Sequence, residues 1–207
     1  MSIYRKTIAQ KPRLGMSAAG PSVGGVTDAE AVRHIALALP RAYEQQIGGR
    51  WKLKVKQLVF VAFSKDEERF GFGFPREERD ALIASAPDKF FLPPQRDLRY
   101  QWVCGHLVAL ADDEMRELVI DAWRMCVPAM LHDLPDLPAP TAEAWSLLDQ
   151  DQYADAAPLL HPHLQWHDRD VQLRGRIQVL AHLRDHPRPR PPREVELRDG
   201  QVYRWVR

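Results

Sequence analysis

The chain has 207 residues, 45% apolar and 28% charged, with a formal net charge of +1. That length bounds it to one or two domains, and the apolar share is enough for packed cores. Near-neutrality excludes a global field that would steer the whole surface toward nucleic acid or membrane. No apolar run reaches the roughly 18 residues of a membrane helix, so no membrane partner is expected.

Charge is uneven only at the start. Residues 1–26 hold Arg5, Lys6, Lys11 and Arg13 and no acid, and Gly20, Pro21, Gly24 and Gly25 break any periodicity. A disordered basic arm is expected there. Cys104 and Cys126 are the only cysteines. Two isolated thiols make neither a disulfide framework nor a Cys-x-x-Cys site, which points to the reducing cytoplasm.

Order is expected from Thr27. Thr27 and Glu30 fit a capping box, and Val32, Ile35, Ala36 and Leu39 follow at helical spacing until Pro40. Gly48-Gly49 turns the chain. Residues 50–57 then alternate, with Trp51, Leu53 and Val55 on one face and Arg50, Lys52, Lys54 and Lys56 on the other. Strands are expected at 58–63 and 69–74 around a charged turn. A helix follows from Pro75 to Ala84, with Glu77 and Glu78 at its positive end. Residues 100–110 read as a further strand region. Asp112 to Met125 read as an amphipathic helix stopped by Pro128.

The composition changes at 131–140, where Leu134-Pro-Asp-Leu-Pro-Ala-Pro140 reads as a linker. The last lysine is Lys89, and five of the eight histidines lie beyond residue 140. Short helices are expected at 141–149 and 152–160, and strands at 163–167 and 171–173. A helix at 176–184 should turn Ile177, Leu180 and Leu183 inward. A hairpin is expected around Asp199-Gly200, a strong two-residue turn signal. The organisation is therefore an arm at 1–26, a unit at 27–130, a linker at 131–140 and a smaller unit at 141–207.

Leu37 to Pro40, Trp51 to Lys54 with Phe60, Pro75 to Arg79, Phe90 to Pro94, Trp102, and Glu117 to Arg124 together resemble the MmcQ/YjbR family. The resemblance implies a frataxin-like, double-wing α+β fold with an antiparallel sheet, and a DNA-binding label given by analogy. The loop at 93–99 lacks the histidine expected after its prolines. Trp145 to Leu148, Leu159 to Pro162, Trp166 to Asp168, Leu173 to Arg176 and Asp199 to Trp205 resemble a shortened nuclear transport factor 2-like (SnoaL-type) module. That resemblance implies a truncated α+β roll around a ligand pocket.

Four residue sets carry chemistry. Arg50, Lys52, Lys54 and Lys56 would space four cations over roughly 20 Å of one strand face, and Arg96 and Arg99 would extend a phosphate-tracking stripe. The phenylalanines at 60, 63, 70, 72, 74, 90 and 91 are expected in the core. Trp145, Trp166, His167 and Trp205 are the candidate pocket, with His167 and Asp168 as candidate acid–base groups. His161, His163, His167, Asp168 and Asp170 are close in sequence, but only His163 and His167 would share a strand face and His161 would lie in a turn, so three convergent ligands, and with them a metal or cofactor, are not expected. A frataxin-like iron ridge is not expected either, because Arg33 and His34 interrupt the acids of the first helix. The reading is a non-enzymatic binding protein with DNA as partner. The alternative is a small hydrophobic ligand handled by the carboxy-terminal unit. Self-association is left open.

Overall fold

The computed structural model describes residues 27–186 and 188–207, so the basic arm at 1–26 lies outside the described residues. It is a mixed α+β structure with two sheets. The larger has strand order β1-β2-β3-β4-β6-β5, antiparallel throughout, and the smaller has order β8-β7-β10-β9.

The first helix, α1 (Ala29–Leu37), begins one residue later than a capping box at Thr27 implies. The Asp28 carboxylate caps it by accepting from Ala31 N at 2.8 Å. Thr27 is used elsewhere: its Oγ lies 2.9 Å from both Leu110 O and Asp112 Oδ1, tying the chain entry to a distant helix start. A strand not read from the sequence, β1 (Ala42–Ile47), follows and pairs with β2 (Arg50–Val55) through Gly48-Gly49. Both glycines have positive φ, 62° and 71°, as a tight hairpin turn requires.

Strands β3 (Leu58–Phe63) and β4 (Arg69–Gly73) continue the sheet. Helix α2 (Arg76–Ser85) leads to the two-residue β5 (Phe90–Phe91) and then to β6 (Trp102–His106), which inserts between β4 and β5. Helix α3 (Asp112–Arg124) packs with α1 on one face of the sheet. Between them Phe60, Phe63, Phe70, Phe72 and Phe90 are buried with Val32, Ala36, Val119 and Trp123. The buried Trp123 indole donates to Pro40 O at 3.0 Å, fixing α3 against the end of α1.

Residues 131–140 are not an extended tether. They form 3-10 turns running into α4 (Ala139–Asp149), and Leu131 and Leu134 are buried. Arg124 holds this segment by donating to His132 O at 3.0 Å and to Asp136 at 2.8 Å. Beyond it come α5 (Tyr153–Ala156), β7 (Leu160–Asp168), β8 (Val171–Arg174), α6 (Arg176–Asp185), β9 (Glu194–Arg198) and β10 (Gln201–Val206). The β9–β10 hairpin turns at Asp199-Gly200, and β10 pairs parallel with β7. In α6, Val179 and Leu183 are buried, whereas Ile177 is 82% exposed and departs from its expected inward position.

The two units share one contiguous core. They are also joined by a forked ion pair in which Arg41 Nε and Nη2 donate to the two Asp149 carboxylate oxygens, each at 2.7 Å. The Arg41 guanidinium also lies 5.5 Å from the Trp145 ring centroid. Removing the arginine leaves a nearly buried carboxylate without its partner. Arg41→Met should therefore lower stability by about 2 kcal/mol in urea unfolding. Adding Asp149→Asn should cost less than the sum of the single changes, the signature of a coupled pair.

A second fork joins α1 to the β3–β4 turn. Arg33 donates to both Glu67 oxygens at 2.8 Å and to Glu44 at 2.7 Å. The Arg33 hydrogen bond holds the Glu67 carboxyl below its usual range. Because the folded-state pKa is depressed, this stabilisation is present above the unfolded carboxylate value of about 4.3 and is lost as pH falls through the folded one. The stability gap between wild type and Glu67→Gln should thus be level near neutrality and shrink below about pH 4 when unfolding is followed across pH.

Candidate nucleic-acid interface

Among the described residues, the helices cover one face of the larger sheet and leave the other open. Strand alternation decides this division. Along β4, Phe70 and Phe72 enter the core, while Arg69 and Gly71 sit on the open side. Along β6, Val103 is buried, while Trp102 and Cys104 face outward with them. The register sets Lys52, Ala62, Gly71 and Cys104 side by side across four strands. Small residues therefore floor the middle of the face, and larger ones rise at its margins.

The result is an open trough of about 960 Å³. One rim carries Arg50 and Lys52 from β2, and one end carries Lys65 from the β3–β4 turn and Arg69 from the start of β4. The opposite rim is the loop after β5, with Pro93, Pro94, Arg96 and Tyr100. Among the described residues, Arg50, Lys52 and Lys65 have no carboxylate within 4.0 Å. Arg69 pairs with Asp66 at 3.4 Å, and Arg96 with Asp97 at 3.5 Å.

Three of the six residues expected in a basic stripe reach this trough or its rim: Arg50, Lys52 and Arg96. The others do not. A bulge between Leu53 and Lys54 in the pairing with β3 interrupts strict alternation. Lys54 is only 6% exposed, and its ammonium donates to Gln45 Oε1 at 2.9 Å. Lys56 lies in the β2–β3 turn with φ of 53° and its carbonyl accepts from the Tyr43 hydroxyl. Arg99 is folded onto Tyr100, with its guanidinium 4.8 Å from the ring centroid and a 2.8 Å bond to the hydroxyl. Lys65, Arg69, Tyr100 and Trp102 are not read as site residues from the sequence, in which Trp102 carries only the family resemblance. The signal available for Arg69 was the phenylalanine–glycine alternation that follows it, which assigns it to the face opposite the core.

The Trp102 indole rests directly on Gly71. A Cβ added to that glycine would stand 3.0 and 3.1 Å from two atoms of the indole six-membered ring. Cys104 lies beside it, and burial, reinforced by Asp97, pushes its thiol up to about 11. The thiol is neutral near pH 7, so the trough contains no ready nucleophile at this position.

The candidate pocket of the second unit is arranged differently. Trp145, Trp166 and Trp205 are at most 1% exposed, and the rings of Trp166 and Trp205 stack with centroids 4.8 Å apart. They fill the core rather than line a cavity. His167 and Asp168 are neighbours on β7, so their side chains leave the strand on opposite faces and do not converge as an acid–base pair. A shallow depression of about 320 Å³ lies instead beside His163, Gln165, Arg174 and Tyr203. No cluster of three or more metal-ligating side chains occurs among the described residues, and no described helix is long and apolar enough to cross a membrane.

Gly71→Val should test the bed beneath the indole. Displacing the ring from a packed position should cost about 1–3 kcal/mol and red-shift tryptophan emission as the indole gains water. Gly71→Ala should do the same more weakly.

No curated protein matches the chain. A similar solved structure is the crystal structure of Deinococcus radiodurans protein DR2400, which has a DUF419 domain. It is 14% identical, with a TM-score of 0.45 over 55% of this chain and 91% of that one. Residues 37–125, running from the last residue of α1 past the end of α3 and spanning the whole larger sheet, match the YjbR family.

Proposed function

We propose that the protein is a non-enzymatic binding module whose open sheet face holds the phosphate backbone of DNA. One observation carries this reading: Arg50, Lys52 and Lys65 stand at the margin of a single trough without carboxylate partners among the described residues. Unpaired cations on a concave surface raise the local concentration of a polyanion, whereas cations already neutralised within the protein do not. The stripe read along β2 is thus replaced by a ring drawn from β2, the β3–β4 turn and the loop after β5. Lys54, Lys56 and Arg99 fall outside this proposal.

A small hydrophobic ligand in the second unit, processed by SnoaL-type chemistry, has less behind it. The three tryptophans that would wall such a pocket are packed against the core.

Three to five phosphate contacts imply a slope of log affinity against log salt of about −2 to −4.5, because each contact releases less than one counterion. The triple change Arg50→Gln, Lys52→Gln, Lys65→Gln should flatten that slope by about 2 to 3 and weaken different DNA sequences alike. Fluorescence anisotropy at several salt concentrations measures both. Absence of binding by the wild type at low salt would end the DNA reading. Binding that survives the triple change with its slope intact would move the site elsewhere.

A further inference from the structure

We propose that the trough takes DNA as an unpaired strand, with bases stacked against the Trp102 indole and phosphates on the cations at the margin. This rests on the phosphate-binding reading above and specifies its ligand.

The first argument is the indole itself. Trp102 is only half-buried and forms part of the wall of a charged trough, on the sheet face opposite the buried Phe70 and Phe72. Its seat depends on Gly71, the glycine between the core residues Phe70 and Phe72, since any Cβ there would meet the ring at 3.0 Å. A flat aromatic face held in this way gains from a second flat face laid on it. In a duplex the base faces are already covered by their neighbours. In a single strand they are free, and stacking on an aromatic side chain tolerates any base.

The second argument is shape. Proteins that read duplex DNA place a convex helix or ribbon into a groove. This surface is a trough with a floor of Ala62, Gly71 and Cys104. From Lys52 to Cys104 it crosses three strand spacings, roughly 14 Å. That width sets Arg50 and Lys52 on one side and Trp102 on the other, so one strand can lay phosphates on these two cations and turn its bases toward the indole.

The third argument favours DNA over RNA. The floor consists of a methyl group, a glycine and a neutral thiol, so it offers little to satisfy a ribose 2′-hydroxyl, the group by which a protein recognises RNA.

The test uses the whole chain and three labelled probes of one length, roughly 16 nucleotides, the upper end of single-strand site sizes on sheet platforms. They are an oligothymidine, a mixed-sequence duplex and an oligouridine. The expected result is oligothymidine binding about tenfold or more tighter than duplex binding, with Trp102→Leu losing about tenfold for the single strand alone and Trp102→Phe retaining most affinity. If Trp102→Leu fails to fold, the wild-type preference and Trp102→Phe still decide the matter. Duplex binding equal to or tighter than single-strand binding overturns this inference and leaves the phosphate reading standing. Oligouridine binding about tenfold tighter than oligothymidine overturns the choice of DNA. Failure of every probe to bind removes the phosphate reading and this inference together.

Discussion

The alternation of phenylalanine and glycine along β4 gives the two faces of the larger sheet opposite characters. Phe70 and Phe72 project into the helices, and their rings lie 4.9 Å apart in a stacked arrangement within the core. A strand's side chains alternate, so the intervening Gly71 must lie on the other side. Once α1 and α3 cover the aromatic face, the remaining face is bare at its centre and bounded by whatever the flanking strands carry. Fully burying a phenylalanine side chain contributes about 1.5–3 kcal/mol, so several together set the sheet's orientation well before any surface charge can influence it. The cations on the rim are thus passengers of a core decision.

The second unit adds to this without entering the trough, whose lining ends at Cys104. Its attachments are on Arg41, which grips Asp149, and on the helical segment that follows α3 and is held by Arg124. Placing its three tryptophans in a continuous core makes it an extension of the packed interior. That explains why so many aromatic residues in so short a unit do not produce a ligand cavity: a small domain buries too little surface to leave them idle.

Much of the fold was legible from sequence because it follows local rules. The apolar alternation of β3 and β4, the amphipathic face of α3 and the Asp199-Gly200 hairpin all depend on residues close in sequence. Strand β1 was hidden because Glu44, Gln45 and Gln46 give it no apolar alternation, although its pairing satisfies the backbone. The bulge at Leu53 and Lys54 was hidden for another reason. A bulge changes which face a residue occupies without changing composition, so Lys54 appeared to belong to an exposed stripe. The trough was only partly legible because Lys52, Gly71 and Trp102 meet through pairings across distant strands. For Trp145, Trp166 and Trp205, sequence alone does not separate a tryptophan that lines a cavity from one that fills it.

The burial of Lys54 bears on how the molecule avoids sticking to copies of itself. Among the described residues, strand β1 ends the larger sheet, with backbone amides and carbonyls on one side lacking a strand partner, and such margins recruit other strands. The adjoining bulge increases local twist, and Lys54 crosses to Gln45 on the marginal strand while Glu44 is held by Arg33. An incoming chain would meet a coiled ribbon with charged side chains fixed along it instead of a flat ledge. The irregularity that breaks the basic stripe thereby guards the sheet against growing by one more strand.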